Sequence, residues 1–297
     1  MIRTARTAWA GGAVVAALAL TGCGIDVEFS GNLTEETRTD SYARADVLEL
    51  SNRDGSTTIV GGDVSEIEVE RVLRYSGDTP PEERITEQDG TLTITAEGCG
   101  DRISMGIAWC DIDYTVTVPR GTAVSVESVD GAVDVDGTEG EATVTSSDGE
   151  VTVTGAVERL DVTSRDGKVV LTGVEADAVT VETSDGGVRL DGGTADTVAL
   201  TARDGRVEVA GTVFDELDVD GKDGAVDVAV GGVFSSIDVV TRDGGATVVT
   251  PRDGGPYAVA ASAADGSVDV TVPQDDDAES AITVTTTDGS VTVEEEG

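Results

Sequence analysis

The dipeptide Asp-Gly recurs at nearly regular intervals through the C-terminal half of the chain. Its aspartates are Asp130, Asp148, Asp166, Asp185, Asp204, Asp223, Asp243, Asp265 and Asp288. Successive copies lie 18 to 23 residues apart, and short runs that alternate valine with polar residues flank each copy. Such a period is typical of a stack of like units, because every unit must meet its neighbour in the same register. The repeat therefore restricts the chain to a repetitive fold.

Each unit, for example residues 160–173, reads as strand, turn, strand, turn. Alternation with period two places the valines on one face. The Asp side chain can cap backbone amides and the following Gly accepts a positive φ, so the pair is first a turn device. We predict an all-β, repetitive β-solenoid, similar to a single-stranded β-helix, with two short strands per coil of about 19 residues. An antiparallel β-meander is the alternative, since Asp-Gly is also a hairpin signal.

The sequence of the N-terminal segment predicts that the protein is exported from the cytoplasm. Arg3 and Arg6 precede an apolar stretch over residues 8–20, and Cys23 follows small residues. This order is typical of a secretory signal peptide, here residues 1–22. It also resembles the lipobox of bacterial lipoproteins, which implies cleavage, a lipidated Cys23 and an extracytoplasmic chain anchored to the membrane by lipid. An ordinary signal peptide with an incidental cysteine, or an uncleaved anchor, remains the alternative.

The remaining chain divides into three segments. Residues 23–42 show little periodicity and are predicted to be a flexible tether. Residues 43–121 are predicted to form an N-terminal β region with a disulfide loop, and residues 122–297 the β-repeat array. In an exported protein, Cys99 and Cys110 are expected to pair as a disulfide. A metal pair has less support because the sequence contains no histidine.

Composition excludes several functional classes. The chain has 59 acidic and 19 basic residues, a net charge of −40 and no histidine. Nucleic acid is not an expected partner, because binding a polyanion requires basic clusters. A serine or zinc hydrolase would need a histidine or an equivalent base and ligand set. We therefore predict that the protein is not an enzyme and needs no resident cofactor.

Stacked units would bring the aspartates into a column with neighbours about 4.8 Å apart. Like charges at that spacing repel each other, and calcium could relieve the repulsion because it prefers carboxylate oxygens. Capping and solvation are the simpler explanation. The candidate calcium ligands are Asp148, Asp166, Asp185, Asp204, Asp223 and Asp243.

One segment carries a family resemblance. The strand over residues 112–118 ends in Val118-Pro119-Arg120-Gly121, and tandem units of the type Val-x-Val-x-Ser-x-Asp-Gly-x-Val-x-Val-x-Gly follow it. From about residue 45 onward the chain resembles the bacterial putative-adhesin family of β-strand repeats, a domain of unknown function. The resemblance implies a non-catalytic envelope protein for adhesion, scaffolding or partner binding, with an unknown protein or glycan as partner. The alternatives are a calcium-stabilised surface binding module and an accessory subunit in envelope-stress sensing.

Overall fold

The computed structural model describes residues 33–77, 80–98 and 109–297, and every regular element in them is a β-strand. The strands are β1 (Leu33–Tyr42), β2 (Val47–Asn52), β3 (Thr57–Gly62), β4 (Ile67–Ser76), β5 (Glu82–Gln88), β6 (Thr91–Gly98), β7 (Cys110–Pro119), β8 (Ala123–Ser128), β9 (Val133–Asp136), β10 (Ala142–Ser146), β11 (Val151–Ala156), β12 (Arg159–Ser164), β13 (Val169–Thr183), β14 (Val188–Asp191), β15 (Thr194–Ala202), β16 (Val207–Gly221), β17 (Val226–Val230), β18 (Ser236–Asp243), β19 (Ala246–Thr250), β20 (Ala258–Asp265), β21 (Val268–Val270), β22 (Ala281–Asp288) and β23 (Val291–Glu295).

Most of these strands stack in two parallel ladders, one on each side of the Asp-Gly corner. The first ladder contains the strands that lead into the corner, in the spatial order β6, β2, β8, β10, β12, β13, β15, β16, β18, β22, β20. The second contains the strands that leave it, in the order β7, β3, β9, β11, β13, β14, β16, β17, β19, β23, β21. The predicted β-solenoid is confirmed, and the parallel pairing excludes the meander.

The interior is a ladder of aliphatic side chains. Val144, Val162 and Val181 lie in register on successive coils, and each is at most 2% exposed. The residues between them on each strand point to solvent, so alternation along the sequence becomes inside and outside in the coil. Burial of one such valine contributes about 1.5 kcal/mol. A thin core built this way needs few aromatic side chains, which agrees with an aromatic content of 3%.

The order of the coils in space departs from chain order at both ends. The coil of β6 and β7 lies outside the coil of β2 and β3, although it follows that coil in the sequence. At the other end, β22 lies between β18 and β20, and β23 lies between β19 and β21. The C-terminal coil is therefore inserted into the stack, and the coil of β20 and β21 is the last in space.

Antiparallel strands close the N-terminal end of the stack. β5 pairs with β6, while β4 pairs with β7 and β1 pairs with β4. Residues 33–42, which belong to the segment predicted to be a tether, thus form a strand, and that part of the prediction is wrong. The reason is tertiary: β1 has no continuous apolar face of its own, but β4 supplies a complete set of pairing partners.

A buried polar cluster lies inside this N-terminal cap. Arg71 Nε on β4 is 2.9 Å from Glu83 Oε1 on β5, and the two side chains are 7% and 13% exposed. Arg71 also pairs with Asp40 of β1. Tyr114 of β7 donates its hydroxyl to Glu83 Oε2 at 3.0 Å. One cluster therefore joins the three antiparallel strands β1, β4 and β5 to β7 of the stack.

Residues 32–297 form one compact unit. The boundary expected at residue 121 falls between strands of the same stack, because β2 and β8 are neighbours in the first ladder. The predicted signal peptide, Cys23 and Cys99 lie outside the described residues. Within the described ranges, no helix has the length and apolar character needed to cross a membrane.

Candidate functional site

The Asp-Gly corners stack directly on one another. The backbone N–H of Asp166 donates to the carbonyl of Ser147 in the preceding coil at 2.8 Å, and the N–H of Asp185 donates to Arg165 at 2.7 Å. These bonds continue the first ladder around the corner, so equivalent atoms of successive coils keep one register. The corner is therefore as regular as the strands that it joins.

The aspartate side chains form the column that the sequence predicts. Its members, in spatial order, are Asp54, Asp130, Asp148, Asp166, Asp185, Asp204, Asp223, Asp243, Asp288 and Asp265. The six candidate calcium ligands are consecutive members. Within the described residues, however, no group of three or more Asp, Glu, His or Cys side chains is arranged to hold a metal ion. The role of calcium at this column stays a prediction.

The carboxyl pKa is raised at alternate positions of the column, namely Asp130, Asp166, Asp204 and Asp243. At Asp166 the first cause is hydrogen bonding to the carboxyls of Asp148 and Asp185, which requires a proton on one partner. At Asp130 burial is the first cause, and hydrogen bonds to its neighbours follow. At these four positions the neighbouring carboxyls therefore favour the protonated form of the side chain over the charged form.

One lysine interrupts the acidic column. Lys222 Nζ lies 2.6 Å from Asp223 Oδ2 and 3.9 Å from Asp204 Oδ1. Its hydrogen bond lowers the pKa of Asp223. Four other column members directly follow an arginine, and none of these arginines forms an ion pair among the residues the structure describes: Arg53, Arg165, Arg203 and Arg242. Partial neutralisation of the column thus comes from Lys222.

Because the pKa is raised at these four carboxyls, we expect the fold to gain stability as the pH falls from 7 toward the ordinary aspartate pKa of about 4. A raised pKa means that the folded state binds more protons, so this stability is present at low pH and is lost as the pH rises through the folded pKa. Asp166→Asn should raise the melting temperature at pH 7 by about 1–3 °C. Thermal unfolding followed by circular dichroism measures both effects.

The matched control is Asp134→Asn. Asp134 is exposed on β9, and its neighbours in the second ladder are Thr58 and Thr152. The same loss of charge there should leave the melting temperature within about 1 °C. A melting temperature that falls as the pH is lowered from 7 to about 4, or an Asp166→Asn variant no more stable than this control, would contradict repulsion between neighbouring carboxyls of the column.

The corner glycines are required by close approach between coils. A Cβ on Gly149, Gly167 or Gly186 would lie 1.9 Å from the carbonyl oxygen of the corner glycine in the preceding coil. Of the glycines in the stacked corners, only Gly55 has a positive φ. The prediction that these glycines serve to accept a positive φ is therefore wrong, since the neighbouring backbone leaves no room for a side chain.

A buried hydroxyl donates to the glycine carbonyl of its own turn at four of these corners, from Ser128, Ser146, Ser164 and Thr183. Ser146 Oγ donates to the carbonyl of Gly149 at 3.0 Å, and Ser164 Oγ donates to Gly167 at 2.9 Å. Across the described residues the corner aspartates accept no backbone hydrogen bond through their side chains. The capping of backbone amides predicted for the Asp side chains is therefore wrong at these corners. Instead, a hydroxyl two positions before Asp donates to the carbonyl of the turn glycine. Its signal was present in the sequence as the spacing Ser-x-Asp-Gly.

Cys110, the described member of the predicted cysteine pair, is the first residue of β7. β6 ends at Gly98, so Cys99 and Cys110 flank the chain that joins the two strands. The Cys99–Cys110 disulfide stays a prediction.

A family model described as Toastrack DUF4097 matches residues 45–294. Two solved structures from Parabacteroides distasonis share the fold. One, named a putative adhesin, has 16% identity and a TM-score of 0.51, and the other, named a putative lipid binding protein, has 11% identity and a TM-score of 0.54. Each alignment covers 90% of this chain and 98% of the other. No curated protein matches the sequence.

Proposed function

The chain belongs to the Toastrack DUF4097 family, and on that premise we propose that it is a lipid-anchored, extracytoplasmic binding protein without catalytic activity. The observation that carries this proposal is the filled solenoid. Its interior is occupied by aliphatic side chains such as Val153, Leu171 and Leu190, none more than 1% exposed. Recognition must then use the outside of the coils, a surface about 50 Å long at 4.8 Å per coil.

The chemistry of that surface supports binding to a protein or glycan. The net charge of the full chain, −40, opposes contact with nucleic acid and anionic lipid surfaces. A lipid on Cys23 would therefore hold the protein to the membrane. The two relatives named for adhesion and for lipid binding are compatible with a role at surfaces. Adhesion and envelope scaffolding are the forms of binding that this surface fits.

The calcium-stabilised module is the second candidate, because stacked carboxylates such as Asp148, Asp166 and Asp185 repel one another. The raised pKa of Asp166 is the observation that favours this candidate. We also propose that a Cys99–Cys110 disulfide closes the connection between β6 and β7, a position where an end coil needs covering. Closing a loop of this length contributes about 2–3 kcal/mol.

Lipid anchoring predicts a specific effect of Cys23→Ser. In a bacterial host grown with labelled palmitate, the variant should lose nearly all of its label and should move from the membrane fraction to the soluble fraction, because one thiol carries the anchor. Cys110→Ser is the matched control, since it also removes one cysteine but should keep the label. A fully labelled Cys23→Ser variant would contradict the proposal.

The binding role is tested separately from the anchor. The purified full chain should bind to intact bacterial cells or to isolated envelope in a saturable manner, and the same preparation should show no hydrolysis of envelope glycans or peptides. Saturable binding without turnover supports the proposal, whereas turnover or a complete lack of binding to every fraction contradicts it.

A further inference from the structure

The C-terminal end of the stack has an open edge. β20 pairs with β22 and β21 pairs with β23, and no described strand pairs with the other side of either one. This unpaired side of β20 and β21 is the open edge. It exists because the coil of β22 and β23 is inserted one position further in, next to β18 and β19.

The hydrogen-bonding groups at the open edge can be assigned from the register. Ala258 N–H donates to Ser280 O, so Ala258 faces β22. The side toward which the backbone N–H and C=O groups point alternates from one residue to the next along a strand. The N–H and C=O groups of Val259, Ala261 and Ala263 therefore point away from β22. On β21, Thr271 N–H donates to Val293 O, which turns the backbone groups of Val268 and Val270 outward in the same way. The longer row of outward-pointing backbone groups belongs to β20.

This edge lacks the features that normally protect a sheet edge. β20 has no charged residue before Asp265, no proline and no register shift in its pairing. The inward side chains of Val259, Ala261 and Ala263 are only partly buried. At the opposite end, the corresponding strands are rich in charge: β5 begins Glu82-Glu83-Arg84. An exposed, uncharged row of backbone groups is a template for strand addition.

Acidic residues lie at both ends of this row. Asp265 is the last residue of β20. At the start of β20, Tyr257 forms a bridge with Gln274, and its carbonyl accepts a hydrogen bond from the N–H of Asp275. Asp276 and Asp277 follow directly and are exposed. A strand lying along β20 would therefore meet negative charge at both of its ends.

We propose that the open edge of β20 binds an extended segment of a partner protein, uncharged in its centre and carrying lysine or arginine at both ends, which adds to the first ladder as one more strand. Backbone hydrogen bonds would supply the binding energy, and the acidic residues would select a cationic segment. This inference rests on the proposed binding role and deepens it, because it assigns the site and the chemistry of the partner.

The test uses the full chain and a fluorescein-labelled peptide of alternating valine and threonine with two lysines at each end. We expect saturable binding by fluorescence anisotropy at about 50 mM salt, where charge attraction is weakly screened. Ala261→Pro removes an outward N–H and should weaken binding about tenfold or more. Peptides with a central proline, or with glutamate in place of lysine, should not bind.

A second variant guards against a folding defect in Ala261→Pro. Ala260 is exposed on β20, so Ala260→Lys adds a positive charge beside the site and should weaken binding about two- to fivefold. Thr197→Lys, an exposed position on β15, makes the same charge change far along the ladder and should bind as the wild type does. Circular dichroism confirms that each variant is folded.

Three results would overturn the inference: no saturable binding of the lysine peptide, equal binding by folded Ala261→Pro, or sedimentation showing that the open edge pairs with a second copy of the chain. The outcome is separable from that of the proposed function. If Ala261→Pro still binds envelope as the wild type does while the peptide fails, the edge inference is wrong and the binding role stands.

Discussion

Gly167→Ala should destabilise the protein by about 3 kcal/mol or more. The new Cβ would lie 1.9 Å from the carbonyl oxygen and 2.7 Å from the carbonyl carbon of Gly149. Both atoms are backbone, and ladder pairing above and below the corner holds them in place. Relief therefore requires separating two coils rather than rotating a side chain. Chemical denaturation measures the loss as a lower midpoint at unchanged slope.

The control for this change is Gly121→Ala. Gly121 also lies in a turn, but a Cβ there meets nothing within 4 Å and no positive φ is required. We expect its free energy of unfolding to stay within about 0.5 kcal/mol of the wild type. Equal stability of Gly167→Ala and Gly121→Ala would show that the coils can separate at the corner at little cost, contrary to the close stacking described above.

The difference between Gly167 and Gly121 shows which features of the fold could be predicted from the sequence. The repeat at Asp148, Asp166 and Asp185 predicted the solenoid and the column correctly, because constant spacing is itself a statement about stacking. The predicted role of the glycines, to accept a positive φ, was wrong. Asp-Gly predicts a local turn, whereas the observed constraint is the close contact between glycines 18 or 19 positions apart in the sequence. Turn formation and close packing between coils both favour the dipeptide Asp-Gly. The sequence alone does not show which of the two causes requires the glycine.

The ends of the stack were less predictable than its middle. The last two intervals, from Asp243 to Asp265 and on to Asp288, are 22 and 23 residues, longer than those before them. The extra residues correspond to the connections that let β22 enter the stack ahead of β20. An irregular interval can signal that a repeat is altered, but it cannot specify which edge the strand will join. Only the observed pairing supplies that information.

The N-terminal cap carries the second large prediction. Arg71→Met should destabilise the protein by about 3 kcal/mol, because it leaves the carboxylate of Glu83 largely buried without its closest cation. Arg38 Nη1 is 3.9 Å from Glu83 and compensates in part, which places the loss at the lower end of the range for a broken buried pair. Denaturant unfolding measures the change.

Two further variants separate the charge effect from lost packing. Arg71→Met combined with Glu83→Gln should recover part of the lost stability, because the uncompensated charge is gone while the hydrogen bond from Tyr114 can remain. Arg189→Met removes an arginine that is 34% exposed and should cost less than about 1 kcal/mol. If Arg71→Met were no worse than Arg189→Met, the buried cluster would not hold the cap. The two ends of the stack also differ in function-related chemistry. The outer strands β1 and β5 at the N-terminal end carry several charged side chains, whereas β20 carries none before Asp265.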